Sequence, residues 1–404
     1  MELLRRPAGR AATGRERPAR HGARALAARA FAFAAAAALA FAASGCAARS
    51  HHLSPAARSA VWPGAGGGNA RTFADSIGIT LPLEAVWRLE VGRGITSPLA
   101  MADGIAVVTT VDRKVRAVDL ATGKILWSRN ASGGFRAGAI IRSGRVYAAT
   151  ESAGGQLLCL SLSSGKVVWS RKIGEVSASP ALWGDSLLVP VRAGAVLLVR
   201  TSTGEPVWRA KADARILGPP ALTDSLAIIA GDRGRVEAFR RADGSRAWSI
   251  VVGQPVHGGV SARDSVAIVA GADGRVTALS ADDGRVLWQA EAGGKVTGSV
   301  AIEGGAAYVG TVDGIVLGFS LADGTRVLRA ETGRLLRAGP AVSGEYLLFG
   351  ALDGDVFALS RLSGERVWAS HLEASVETPP AIAGRHALVA DTRGGLTLFR
   401  GGVR

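Results

Sequence analysis

A large apolar side chain recurs at almost constant spacing along the chain, at Trp87, Trp127, Trp169, Trp208, Trp248, Trp288, Leu328 and Trp368. The intervals are 40, 42, 39, 40, 40, 40 and 40 residues, and Leu328 is the one member of the column that is not tryptophan. A fixed period of this length means one supersecondary unit stacked on copies of itself. From the second member on, a glycine stands four residues before the column: Gly123, Gly165, Gly204, Gly244, Gly284, Gly324 and Gly364. Each follows Thr, Ser or Asp, a dipeptide suited to a tight hairpin.

Within each unit apolar and polar residues alternate, as in 275–280 (RVTALS) and 355–360 (DVFALS), which is the period of half-buried strands. Turn signals at Arg263-Asp264, Asp273-Gly274 and Asp283-Gly284 divide one forty-residue unit into four short strands. A four-stranded antiparallel sheet repeated in this way is a propeller blade, so the fold class is all-β. Seven complete units run from Arg88 to Trp368, and residues 369–400 hold only three strands. The missing fourth is available in Leu83–Val91. Pairing first with last removes an exposed edge and gives an eight-bladed propeller over 83–400, with its ends close together.

Two columns of small residues support the ring. Ser97-Pro98, Ser179-Pro180, Gly218-Pro219, Gly258-Gly259, Gly298-Ser299, Gly339-Pro340 and Pro379-Pro380 fall where innermost strands crowd the axis. Ala117, Cys159, Ala238, Ala278, Gly318 and Ala358 lie six residues before the turn glycine. Cys159 is therefore expected to be a buried packing thiol.

Ahead of the ring, eight arginines within residues 1–29 precede the apolar run 30–43, which is too short to span a bilayer but suits a secretory signal. Ala43-Ser44-Gly45-Cys46 resembles a bacterial lipobox, with Ala43 where that pattern has Leu. The resemblance implies a signal peptide over 1–45, acylation of Cys46, and a lipid-anchored protein. Ala47, in place of Asp, implies by likeness to Gram-negative lipoproteins an outer-membrane address facing the periplasm. Residues 46–82, rich in Gly and Pro, are expected to be a flexible tether. The signal segment also carries much of the net charge of +15, leaving 40 basic against 31 acidic residues beyond Cys46. That excess is dispersed, so nucleic acid is not an expected partner.

The repeat at 273–288 (DGRVTALSADDGRVLW) resembles the pyrroloquinoline-quinone (PQQ) type of propeller repeat, and the leader from Trp62-Pro63 to Arg71-Thr72 resembles the opening that precedes such propellers. With the lipobox and this length, the chain is most similar to the BamB family of outer-membrane assembly lipoproteins. The resemblance implies a non-enzymatic propeller whose partners are the barrel-assembly machinery and unfolded barrel precursors. The alternatives are a PQQ-like propeller lipoprotein with another binding role, and a PQQ-dependent dehydrogenase.

The residues themselves speak against the last. A quinone enzyme needs a calcium site of convergent carboxylates and amides. The column at the channel mouth reads Ser177, Leu217, His257, Thr297, Arg337 and Glu377, with a single carboxylate. Asp273, Asp313 and Asp353 each precede glycine on a different blade and are turn residues, and His51-His52 fall in the expected tether. No catalytic, cofactor or metal site is expected. By resemblance, the docking loop of the assembly family maps to 214–219, where Leu217 stands at the position of its docking arginine. Arg215, Ile216 and Leu217 are the candidate partner-binding residues; Ile216 shares a column with Val176, Val256, Val296, Leu336 and Val376, which favours a core position for it, whereas Arg215 and Leu217 sit in columns that vary between blades.

Overall fold

The computed structural model describes residues 61–68, 71–75 and 78–402. Those residues form eight antiparallel sheets around one axis. Blades one to seven span 100–130, 140–172, 181–211, 221–251, 261–291, 301–331 and 341–371. Blade eight takes three strands from 381–401 and its fourth from Leu83–Glu90. That closing strand pairs antiparallel with Gly395–Gly401, from Leu83 opposite Gly401 to Glu90 opposite Gly395. The chain thus seals its own ring with its first long strand, as the alternation of Leu83–Val91 predicts.

The tryptophan column is the seam between blades. Five of the rings face a small residue across their own sheet, as Trp169 faces Cys159, Trp248 Ala238 and Trp288 Ala278, which leaves room for the indole, whereas Trp87 and Trp208 face Leu398 and Leu198. The indole N–H then donates to a backbone carbonyl of the following blade, at 2.8 Å from Trp208 to Arg241 and 3.0 Å from Trp368 to Leu83. Beneath the ring lies the next blade's turn glycine. Gly204 has φ +71, and a Cβ there would stand 2.6 Å from Trp169. The spacing of Trp and Gly in the sequence is therefore a contact rule between neighbours, not only a turn signal. Leu328 makes the one seam without an indole; there Gly364 faces Leu328 and Ala330.

The two faces of the ring are built differently. On one, the loop entering each blade is tied to that blade's second turn: Asp232 N–H donates to the Arg215 carbonyl, Val312 to Lys295 and Leu352 to Leu335, with equivalents in all eight blades. The opposite face carries the hairpin turns, and across it run the described residues 61–68, 71–75 and 78–82.

That segment corrects the expectation of a tether for its described residues. Trp62 and Phe73 are buried, and both belong to the hydrophobic cluster that joins blades one, six, seven and eight. Trp62 exchanges backbone bonds with Met101 of blade one, and the Pro63 carbonyl accepts from Ile141 of blade two. Thr72 accepts from Ile302 of blade six, and Phe73 from Val342 of blade seven. Ala74–Asp75 adds a parallel fifth strand beside Val342–Ser343. Glycine and polar residues here serve close backbone approach rather than freedom: Gly66 and Gly67 have φ +81 and +84, and Arg71 and Phe73 also take left-handed φ of 55° and 51°. The segment is a strap.

Candidate functional site: the central shaft and its mouth

The strap delivers Arg71 into the axis of the ring. Its guanidinium donates to the carbonyls of Pro219 (2.9 Å), Val260 (2.7 Å) and Gly258 (3.1 Å) and to Ser299 Oγ (3.3 Å), so one side chain joins blades four, five and six. Arg71 is 2% exposed and its plane lies over the Phe73 ring at 5.0 Å. Burial pushes the guanidinium down to about 9, which leaves it charged at neutral pH. Gly259, at φ +77, makes the approach possible, since a Cβ there would stand 2.6 Å from Arg71 Nη1.

Above this plug lies a cavity of about 170 Å³, lined by Arg71, Ser179, Ser299 and the mouth column. The column found in the sequence is real: Ser177, Leu217, His257, Thr297, Arg337 and Glu377 all line it. Arg136 joins them from blade two. Its signal was the pair Phe135-Arg136, which matches Val176-Ser177 as core then mouth, but at a spacing of 41 residues rather than forty. Arg337 reaches Glu377 at 3.4 Å, and Arg136 reaches Glu151 at 2.6 Å. Burial, and then the charge of Lys295, lowers the pKa of His257, which favours its neutral ring.

The residues of the shaft do not fit a quinone with its calcium. Glu377 is the only carboxylate among the lining residues, and Arg337 is bound to it. The cavity is also below the roughly 300–1,000 Å³ of sites for larger cofactors. Asp273 and Asp353 accept the backbone N–H two residues on, each at 3.1 Å, as turn residues do. Cys159 is buried opposite Trp169, and burial raises its thiol to about 11.

The three candidate docking residues part company. Arg215 is exposed on the open face, and Leu217 is half-buried at the shaft mouth. Ile216 is 1% exposed in the core between blades three and four, so it offers no surface to a partner. Alternation of the strand-like loop explains the split, because neighbours point to opposite sides. Cys46, the expected signal peptide and His51-His52 lie outside the described residues.

The family model described as outer membrane protein assembly factor BamB matches residues 84–172, 153–255, 232–334 and 313–400. The structure of BamB from Moraxella catarrhalis superimposes with a TM-score of 0.70 at 20% identity, covering 79% of this chain and 100% of that one. Quinohemoprotein alcohol dehydrogenase from Comamonas testosteroni gives 0.71 at 14% identity, covering 86% and 82%. At such identities these two likenesses show the fold alone. In sequence, a quinoprotein ethanol dehydrogenase of Pseudomonas putida is 32% identical over 123 residues, 28% of this chain and 19% of that protein. The chain thus matches about a fifth of the length of that relative.

Proposed function

Since the chain belongs to the outer membrane protein assembly factor BamB family, we propose that it is a non-enzymatic scaffold that docks on the barrel-assembly machinery and helps hold unfolded barrel precursors. The observation that carries this reading is the family match, which runs without a gap from residue 84 to residue 400. Its blades deviate little from forty residues, so no long insertion is present to build a substrate lid. Acylation of Cys46 after removal of residues 1–45 would hold the ring on the periplasmic side of the outer membrane. Cys46→Ser then shifts the protein from the membrane to the soluble periplasmic fraction, and persistence in carbonate-washed membranes rejects the anchor.

The docking surface in this reading is the open face. Arg215 is exposed there, and Leu335 of blade seven is 55% exposed in the same loop position. Within the loop 214–219, the half-buried Leu217 lies two residues from the exposed Arg215, and an apolar group near a guanidinium suits an interface anchor. The experiment is affinity purification from solubilised membranes. Wild type should recover the barrel-insertion protein, and Arg215→Glu with Leu217→Asp should lose it while melting within a few degrees of wild type. Equal recovery by both removes these residues from the interface. The competing quinoprotein reading draws on the 123-residue likeness to an ethanol dehydrogenase, and the shaft's volume and single, paired carboxylate count against it.

A further inference from the structure

A buried cation normally meets a carboxylate, because leaving water costs several kcal/mol per ion. Arg71 meets none: its partners among the described residues are three carbonyls and one hydroxyl, and its buried Nε has no partner. Carbonyl dipoles satisfy its N–H groups without cancelling its charge. The walls above it add Arg136 and Arg337 at the mouth, each paired with one carboxylate, Glu151 and Glu377, of which only Glu377 lines the cavity. They also add hydroxyls. Ser179 Oγ accepts the Gly138 N–H at 2.8 Å, which leaves its own hydrogen for an acceptor in the cavity. Bare backbone completes the wall at Gly258, Gly298 and Gly339, where any Cβ would strike the neighbouring blade's backbone.

From this geometry we propose that the shaft above Arg71 binds a small oxyanion, a carboxylate or phosphate group entering from the open face. The cavity of about 170 Å³ admits a short organic acid or the last residue of a chain. Low-dielectric walls around an unneutralised guanidinium attract such a group more strongly than an exposed arginine does. The hydroxyl of Ser179 and the second nitrogen of the Arg337 fork, whose Nη1 faces Glu377, supply directional contacts, whereas Ser299 already donates to the Gly258 carbonyl. The site borders the proposed docking loops through Leu217, Pro219 and Arg337, but the inference rests on the plug and does not require the assembly role.

Calorimetric titration of the full chain with sodium acetate and with sodium phosphate, against sodium chloride at matched ionic strength, tests it. A saturable heat for either oxyanion, accompanied by a concentration-dependent rise in melting temperature, is the expected result. Arg136→Gln with Arg337→Gln changes two side chains that are each 62% exposed, so the fold should persist. Affinity should fall about tenfold, the size of one lost charge-assisted contact. A pentapeptide with a free terminal carboxylate, set against its amide, separates the sources. Binding of the free acid form only assigns a chain end, and binding of acetate or phosphate without the peptide assigns a small solute. No saturable heat with any oxyanion, an equal shift with chloride, or unchanged affinity in the double variant would overturn the proposal.

Discussion

The two ends of the central shaft are held by opposite means. At the closed end, one residue from outside the repeat, Arg71, is locked by three carbonyls and a hydroxyl from blades four, five and six. At the open end, blades two to eight each contribute one residue from the same position, and those residues range from Leu217 to His257 to Glu377. The closed end tolerates little variety because three of its four contacts are to backbone carbonyls. The open end tolerates much, because its side chains border water and carry few of the ring's contacts. Stability therefore belongs to the first, and the proposed recognition to the second.

Substitutions should separate the two ends. Arg71→Met removes four charge-assisted hydrogen bonds, leaving the Val260 carbonyl without that donor while Pro219 keeps the Val260 N–H and Gly258 the Ser299 hydroxyl, and a loss of about 3 kcal/mol is expected in denaturant unfolding. Arg71→Lys, with a compact ammonium in place of the fork, should fall between this variant and wild type. If Arg71→Met unfolds with the wild-type midpoint and slope, the closed end is not a structural lock. Gly259→Ala attacks the same lock from the ring side. Its Cβ would crowd Arg71 and the left-handed φ would be strained, for a cost of about 2 kcal/mol.

The smallest effect belongs to the open face. Asp355 is held below its ordinary 3.8 by His371, whose Nδ1 lies 2.8 Å away, and by the charge of Arg334, against a raising effect of burial. A carboxylate whose folded pKa is depressed adds stability above its unfolded pKa and loses it as pH falls. Asp355→Asn should therefore cost about 0.5–1 kcal/mol near pH 7. The gap to wild type should close as the medium is acidified through the value of 3.8 and below. A gap that widens on acidification would contradict the sign.

The ring was legible because a repeat states the same physical requirement many times. Trp and Gly columns report the seam between blades, and Leu83–Val91 announces its missing partner by simple subtraction. The strap was not legible, because it occurs once. Its glycines have the composition of a linker, and nothing in the local pattern distinguishes Arg71 from a solvated arginine. Arg136 escaped for a smaller reason, one residue of slippage in the period of blade two. At the docking loop the sequence left Ile216 open between core and surface, and its column of Val and Leu pointed to the side the structure takes. Cys46 stays a proposal, since it lies outside the described residues.

The central claim is that the strap closes one end of the ring and leaves the other for partners. Hydrogen exchange of the full chain, alone and with the purified barrel-insertion protein, tests it most directly. The account predicts new protection in 214–219 and around Leu335 on the open face, with the strap from Trp62 to Asp75 exchanging as slowly as before. Protection that rises across the strap and the hairpin turns, with 214–219 and Leu335 unchanged, would contradict it.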